Sequence, residues 1–421
     1  MPTKKVIDHF SQEPEAHVLE LPNGLRIVHQ QLDRAVAHCG LMMGAGSRNE
    51  KPNEHGLAHF LEHCLFKGTE KRKTFHILSR LDAVGGELNA FTSKEETWVH
   101  ASFLYHDYER AIELIADIVF HANFPEKEIE KEKEVILDEI NSYKDSPADM
   151  IFEEFDEVIF GSGAMGRTIL GSEKSLERFG SKHLNDFRKR ILSRGQVIFS
   201  SAGNIPVEEL QALVEKHMGH VKLKKASEQD KHHFDYVPKD IQSIKDIHQV
   251  HYVMGTPAYA FQDERRPALG LLNNLLGGPA MNNRLSMNIR ERHGIAYHVD
   301  SNYAPFSDCG VFTIYVGSEK KHLEKSKQLI WKELDVLKAK ALTPHALQEA
   351  KKQIMGQIAL SHDSGSAIMF NLAKSLMLFG QIDTLTEVFR RLQLITADDL
   401  VEVARDVFDP SKMSSITYSY K

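Results

Sequence analysis

The two halves of the chain share one order of apolar segments and glycine turns, and this repetition limits the folds that are available. The segment AHCGLMMGAG (37–46) has a counterpart in VHYVMGTPAY (250–259), and residues 89–104 have a counterpart in residues 302–316. The first pair has the apolar content of buried strands, and residues 89–104 alternate as extended structure does. We therefore predict an α+β fold with two homologous domains, each a mostly antiparallel sheet packed with helices on one face.

A polar segment without hydrophobic periodicity separates the two halves. It has the sequence KLKKASEQDKHHFDYVPKD over residues 222–240, with Pro238 near its end. Polar, aperiodic segments of this kind are typical of linkers between domains. We predict an N-terminal domain at residues 1–222, a linker at 223–240 and a C-terminal domain at 241–421.

The charge balance and the hydropathy argue against two classes of protein. The chain has 52 Lys and Arg against 59 Asp and Glu, a formal charge of −7, whereas a binder of duplex nucleic acid needs a basic face. No apolar run reaches the roughly 18 residues of a membrane-spanning helix, and the start MPTKKVIDHFSQEPE lacks a secretory apolar region. We expect no nucleic-acid partner, no membrane span and a cytoplasmic location.

The segment His59-Phe60-Leu61-Glu62-His63 lies in a stretch of helical periodicity. On a helix, residues four apart share a face, so His59 and His63 can bind one metal ion. Glu62 stands beside that pair, where it can act on a water molecule without being needed as a ligand. This is the inverted zinc-protease order H-x-x-E-H. The alternative is a helix that carries two surface histidines and an acid by chance.

A catalytic zinc site needs a third protein ligand and one open position. Glu132 and Glu139 are candidates, because they lie seven residues apart on a strongly charged helix, two turns and nearly one face. Glu139 stands beside an apolar stripe in VILDEI, and a carboxylate near buried apolar residues usually has a partner. Glu132 is in EKEKE, a pattern typical of a solvated face. The pattern favours Glu139 and leaves open that neither residue binds metal.

Three segments together resemble one known family. HGLAHFLEHCLFKGT (55–69), GGELNAFTSKEETWVH (85–100) and EKEKEVILDEINSYKDSP (130–147) are similar to the pitrilysin and mitochondrial-processing-peptidase family of inverted zinc proteases. The resemblance implies that Glu139, 76 residues after His63, is the third ligand. It also implies that Glu132 orients the site from behind the ligands. One zinc ion per chain is expected, because the C-terminal half has no H-x-x-E-H.

The C-terminal half carries a second part of the resemblance, in LLGGPAMNNRLSMNIRERHGIAY (275–297). In the family, an Arg and a Tyr seven residues apart reach the active site and bind the substrate backbone, which implies these roles for Arg290 and Tyr297. By pattern alone the two are a surface Arg on a helix and an aromatic residue on a strand. Pro279 and Ala280 depart from the longer glycine run of the family.

The segment Asn89-Ala90-Phe91-Thr92 corresponds to the strand that pairs with substrate in the family. An exposed edge strand offers unpaired N–H and C=O groups, which hold a peptide extended and largely independent of its side chains. The alternative is an ordinary core strand. We expect substrates to be peptides or unfolded protein segments.

These features predict a zinc-dependent endopeptidase in which Glu62 is the general base. Longer members of the family join four such units in one chain, so we expect two chains of this length to pair as a clam-shell homodimer with composite sites. Arg290 and Tyr297 would then serve the zinc of the partner. The alternatives are a structural subunit that has lost catalysis and a module that binds peptides without cleaving them.

Overall fold

The computed structural model describes residues 14–224 and 235–421, so residues 225–234 of the predicted linker lie outside the described part. The strands in this part form two sheets. Their bounds are β1 Ala16–Glu20, β2 Arg26–Gln31, β3 Val36–Met43, β4 Glu87–Thr92, β5 Thr97–Leu104, β6 Val197–Gly203, β7 Asp240–Ile244, β8 Val250–Pro257, β9 Ala296–Pro305, β10 Gly310–Ser318 and β11 Ser414–Ser419.

Helices connect the strands and pack on the sheets. They are α1 Leu57–Leu65, α2 Thr74–Asp82, α3 Tyr108–His121, α4 Glu126–Lys144, α5 Pro147–Phe160, α6 Glu173–Leu176, α7 Ser181–Leu192, α8 Val207–Met218, α9 Arg266–Gly277, α10 Leu323–Ala339, α11 Pro344–His362, α12 Gly365–Phe379, α13 Leu385–Leu394 and α14 Ala397–Val407. A π-helical segment, Ser286–Arg292, precedes β9. No helix among the described residues is long and apolar enough to cross a bilayer.

The two sheets repeat one topology. The first has the order β1-β2-β6-β3-β5-β4 and the second has the order β7-β11-β8-β10-β9. The pairs β2–β6 and β7–β11 are parallel, and the other neighbours are antiparallel. With β1 set aside, the two orders coincide strand for strand. The predicted α+β fold with two homologous, mostly antiparallel units is confirmed.

One helix of each half crosses to the sheet of the other half. Helix α5, from the N-terminal half, packs Ile151 and Phe155 against Val253 and Tyr418 of the second sheet. These four side chains are fully or almost fully buried. Since Ile151 and Phe155 are four residues apart, they form one apolar stripe along the helix.

Helix α12 makes the reciprocal crossing. Its Ile368 and Leu372 pack against Val28, Met42 and Trp98 on the first sheet. The sequence predicted helices on one face of each sheet, and the structure adds a crossing helix on the opposite face. The reason is physical, because an apolar sheet face left in water would be unstable. The predicted domain bounds of 1–222 and 241–421 stay a prediction.

Candidate metal centre

The helix that carries the H-x-x-E-H segment is held firmly at its start. Gly56 has φ +88°, and a Cβ there would lie 2.6 Å from Gly171 Cα, so only glycine fits. The Glu50 carboxylate accepts hydrogen bonds from the backbone N–H groups of Gly56, at 3.0 Å, and Ala58, at 2.8 Å. Burial raises the pKa of Glu50 to about 8, although these two hydrogen bonds oppose the shift. This carboxylate satisfies N–H groups that the first turn of α1 leaves unpaired.

Three side chains from two helices converge on one point. His59 Nε2 lies 3.7 Å and His63 Nε2 3.6 Å from Glu139 Oε2, and one ligand atom from each residue falls within 4.8 Å of the others. Tetrahedral zinc with bonds of about 2.0–2.2 Å separates its ligand atoms by roughly 3.3–3.6 Å. The arrangement therefore fits a zinc ion after a small contraction. Among residues 14–224 and 235–421 it is the one such group of His, Cys, Asp and Glu.

A carboxylate and an amine stand behind His63. Glu132 Oε1 lies 2.8 Å from His63 Nδ1, and its other oxygen lies 2.5 Å from Lys67 Nζ. The Glu132 side chain is 6% exposed and that of Glu139 is 35% exposed. A solvated face, the alternative that the EKEKE pattern offered, does not describe Glu132, because its two partners satisfy the buried charge. This contact leaves His63 Nε2 free to face Glu139.

The pKa values of His59 and His63 shift in opposite directions. Burial, helped by the charge of His63, lowers the pKa of His59 to about 3. Burial acts the same way on His63, but the hydrogen bond to Glu132 and the charges of Glu62, Glu132 and Glu139 raise its pKa overall. A neutral imidazole is the form of histidine that a metal binds.

Glu62 lies beside this group, in surroundings that disfavour its charged form. Burial raises its pKa, while the Thr92 hydroxyl and the charge of His63 oppose the shift and Glu139 adds to it. A raised pKa suits a carboxylate that must both accept and return a proton near neutral pH.

The predicted substrate strand lies at the edge of the first sheet. Strand β4 pairs with β5 and forms one end of the strand order. Leu88 and Ala90 pack against the core beneath it, and Asn89 and Phe91 are exposed. Thr92, the last residue of β4, stands next to Glu62. The free edge of β4 therefore ends beside the metal centre.

Arg290 and Tyr297 make their described contacts within the C-terminal half. Arg290, in the π-helical segment, donates from Nε to Glu291 Oε1 at 2.9 Å. Tyr297, on the edge strand β9, is 66% exposed, and its hydroxyl contacts the Glu319 side chain. Within residues 14–224 and 235–421, none of these contacts reaches His59, His63 or Glu139. One described chain thus brings together the metal residues and Glu62 but does not bring Arg290 and Tyr297 into contact with them.

Sequence reasoning missed Glu50 and Lys67. Glu50 lies six residues before Gly56, outside the spacing of a helix capping box. Lys67 follows the H-x-x-E-H segment by four residues, one helical turn after His63, and that spacing is a signal that could have drawn attention to it.

Comparison with known protein families agrees with this fold. The family model described as "Insulinase (Peptidase family M16)" matches residues 26–173, and the model "Peptidase M16 inactive domain" matches residues 178–354. The chain belongs to peptidase family M16.

Relatives with this length carry matching names. An uncharacterized zinc protease of Bacillus subtilis (strain 168) is 34% identical over 92% of this chain and 94% of its own length. Another of Streptomyces coelicolor is 34% identical over 92% of this chain and 86% of its own. Both names support the assignment of this chain as a zinc protease.

Solved structures support the fold. A protease from Helicobacter pylori superposes with a TM-score of 0.87 and 23% identity, covering 97% of this chain and 100% of the other. A structure titled as a peptidase M16 inactive domain, from Pseudomonas fluorescens, superposes with a TM-score of 0.89 and 18% identity, covering 97% and 98%. At these identities the likeness concerns the fold.

Proposed function

We propose that this protein is a zinc-dependent endopeptidase that cleaves peptides or unfolded segments bound as an added β-strand. The observation that carries the proposal is the convergence of His59 Nε2, His63 Nε2 and Glu139 Oε2, with Glu62 beside them. Three ligands with a neighbouring carboxylate are the minimum that hydrolysis by a metal-assisted water requires.

Each residue has a role that follows from its place. His59, His63 and Glu139 hold one zinc ion per chain, which when bound polarises the scissile carbonyl and makes water more acidic. Glu62 takes the proton of the attacking water and later delivers it to the leaving amine. Glu132 keeps His63 in the tautomer that presents Nε2 to the metal.

The substrate binds along β4. Its backbone pairs with the free edge at Asn89, Ala90, Phe91 and Thr92, so the scissile bond is delivered beside Glu62. Main-chain pairing needs an extended substrate, and a folded, tail-free domain is therefore a poor one. A cytoplasmic location remains a prediction from the sequence.

The working unit is a homodimer in which each chain completes the site of the other. Arg290 and Tyr297 contact their own half in the described chain, yet Tyr297 is 66% exposed and available to a second copy. In a two-fold dimer both residues serve the partner's zinc, where they hold the substrate and stabilise the oxyanion.

The test is metal analysis and digestion of an unstructured peptide by the purified protein. Glu62→Gln should keep zinc and lose activity by about 10²–10⁴-fold, the usual contribution of a general base. Glu134→Gln, on the exposed side of α4, is the matched control and should keep both. Wild-type turnover in Glu62→Gln would overturn the mechanism, and zinc binding without any turnover by the wild type would favour a peptide-binding or structural subunit.

Mixing two inactive chains tests the dimer. Heterodimers of His59→Ala and Tyr297→Phe carry one site with both defects and one with neither, so activity should return to a fraction of wild type. No recovery after demonstrated subunit exchange would place each complete site within one chain.

A further inference from the structure

Three consecutive charged residues are buried in the turn that follows the substrate strand. Lys94, Glu95 and Glu96 are 6%, 7% and 8% exposed, and they lie in the turn between β4 and β5, which we call the Ser93–Glu96 turn. Charged residues in a hairpin turn are normally solvated, and buried ones need partners. The partners show what this turn is attached to.

The outer two charges of the turn pair with the crossing helices. Lys94 Nζ lies 3.1 Å from Asp156 Oδ2 on α5. Glu96 Oε1 lies 3.2 Å from Lys374 Nζ on α12, and its other oxygen accepts from Trp98 Nε1 at 3.1 Å. The turn is thus attached to both helices that join the halves.

The central charge pairs with a turn of the C-terminal half. Glu95 accepts from the backbone N–H of Ser307 at 3.0 Å and from its hydroxyl at 2.6 Å, and it also pairs with Arg48. Arg48 in turn binds Asp308 and donates to Ser307 Oγ at 2.9 Å. The Arg48 side chain is 2% exposed. We call Ser307 and Asp308, between β9 and β10, the Ser307–Asp308 turn.

Glu95 and Arg48, the two residues that contact this turn, are close in sequence to groups near Glu62 and at the start of its helix. Glu95 follows Thr92, the residue beside Glu62, by three positions. Arg48 precedes Glu50, the carboxylate at the start of α1, by two positions.

The segment that contains Arg48 and the Ser93–Glu96 turn are also hydrogen-bonded to each other. Arg48 N donates to Lys94 O at 2.8 Å, and Ser47 N donates to Ser93 O at 3.1 Å. A Cβ on Gly46 would lie 2.1 Å from Ser93 O, so the backbones are in close contact.

We propose that Arg48 and Glu95 are positioning residues through which the Ser307–Asp308 turn holds β4 and the start of α1 in place. The C-terminal half, which has no metal-binding group among its described residues, thereby acts on the site within its own chain. This inference rests on the proposed function for its kinetic consequence but not for its structural one.

The experiment compares Asp308→Asn and Ser307→Ala with Asp383→Asn. Asp383 is a matched control because its side chain is 16% exposed, against 12% for Asp308, and it pairs with Arg391 away from the turn. We measure zinc content, kcat and KM on an unstructured peptide, and amide hydrogen exchange along β4. A displacement near 1 Å can cost up to about 10²-fold in activity.

Asp308→Asn and Ser307→Ala should bind zinc normally, raise KM by about tenfold, and lose exchange protection at Asn89–Thr92. Asp383→Asn should leave KM and that protection unchanged. The effects of Glu95→Gln and Ser307→Ala should combine to less than their sum in the double variant, because the two changes share the hydrogen bond between the Ser307 hydroxyl and Glu95.

Unchanged KM and β4 exchange in a folded Ser307→Ala would overturn the inference, as would a KM change equal to that of Asp383→Asn. If Asp308→Asn does not fold, Ser307→Ala decides, since it removes one hydroxyl and leaves every charge paired. If the wild type cleaves nothing, the proposed function fails, and the exchange data still test the attachment.

Discussion

The two units of this protein have the same strand order, yet within residues 14–224 and 235–421 only the first carries a candidate metal centre. Helix α1 follows β3 in the first unit, and helix α9 follows β8 at the same place in the second. Helix α1 has the sequence LAHFLEHCL and α9 has the sequence RPALGLLNNLLG. The two helices therefore hold equivalent positions in their units, and only α1 has histidines in its sequence.

The comparison separates what the fold needs from what the reaction needs. Helix α1 buries Leu57 and Leu61 in the first core, and α9 buries Leu269, Leu272 and Leu276 in the second. An apolar stripe is enough to hold each helix on its sheet. Since the ligand positions lie outside that requirement, one copy can carry histidines while the other carries none.

The largest expected effect is on metal content. His59→Ala should reduce bound zinc from one per chain to none, because two remaining ligands do not make a zinc site. His345→Ala should leave it at one, although His345 Nδ1 lies 3.1 Å from Glu349 on α11 of the second unit. Elemental analysis of both variants measures this, and zinc retained by His59→Ala would mean that the second unit also binds metal.

The crossing helices should matter equally in both units. Phe155→Ala on α5 should lower the free energy of unfolding by about 3–5 kcal/mol and Met369→Ala on α12 by about 2–5 kcal/mol, since both side chains are fully buried. Phe75→Ala, at a residue 74% exposed, should change it by less than about 0.5 kcal/mol. Urea denaturation should show one transition in each case, and two separate transitions would show that the units fold independently.

A smaller effect on zinc affinity is expected from Glu132, which contacts the ligand His63 on the side away from Glu139. The described residues of the second unit contain no such metal group. Glu132→Gln should weaken zinc binding by about 10–100-fold, because a neutral amide polarises His63 less and loses the charge of Lys67 as a partner. Glu130→Gln, exposed and paired with Lys133 on the same helix, is the control. Competition with a fluorescent chelator measures both affinities, and equal values would remove Glu132 from the site.

A further effect is expected on the pH dependence of stability. The folded-state pKa of Glu50, about 8, lies above its ordinary value of 4.5. Its protonated form therefore contributes stability that is complete below about pH 4.5 and lost as the pH rises toward 8. At the start of α9 the hydrogen bond from Arg265 lowers the pKa of Asp263. The charged form of Asp263 therefore contributes stability that is lost as the pH falls through its folded-state pKa.

Glu50→Gln should flatten the decline of unfolding free energy between pH 4.5 and 8. Urea titrations without zinc at several pH values measure the slope. Identical slopes in the wild type and Glu50→Gln would contradict the raised pKa. Asp263→Asn, in contrast, should affect the slope only at acid pH.

Local spacing determined much of this protein from its sequence. The four-residue spacing of His59 and His63, with Glu62 between them, needs only a helix to place these side chains together. The repeated order of strands and glycine turns likewise specified two mostly antiparallel units, because alternation and turn residues act over a few positions. The family resemblance singled out Glu139, which the pattern alone favoured without deciding.

Only the tertiary structure decided the features that depend on contacts between distant segments. The burial of Glu132 depends on His63 of α1 and on Lys67 in the turn after α1, and the EKEKE segment by itself does not show these partners. The run Lys94-Glu95-Glu96 has the composition of a solvated turn, and it is buried because α5, α12 and the Ser307–Asp308 turn each bring an opposite charge or a donor. The tertiary structure likewise decided where the crossing helices α5 and α12 pack. An apolar stripe shows that a helix is buried, but it does not show which sheet covers it.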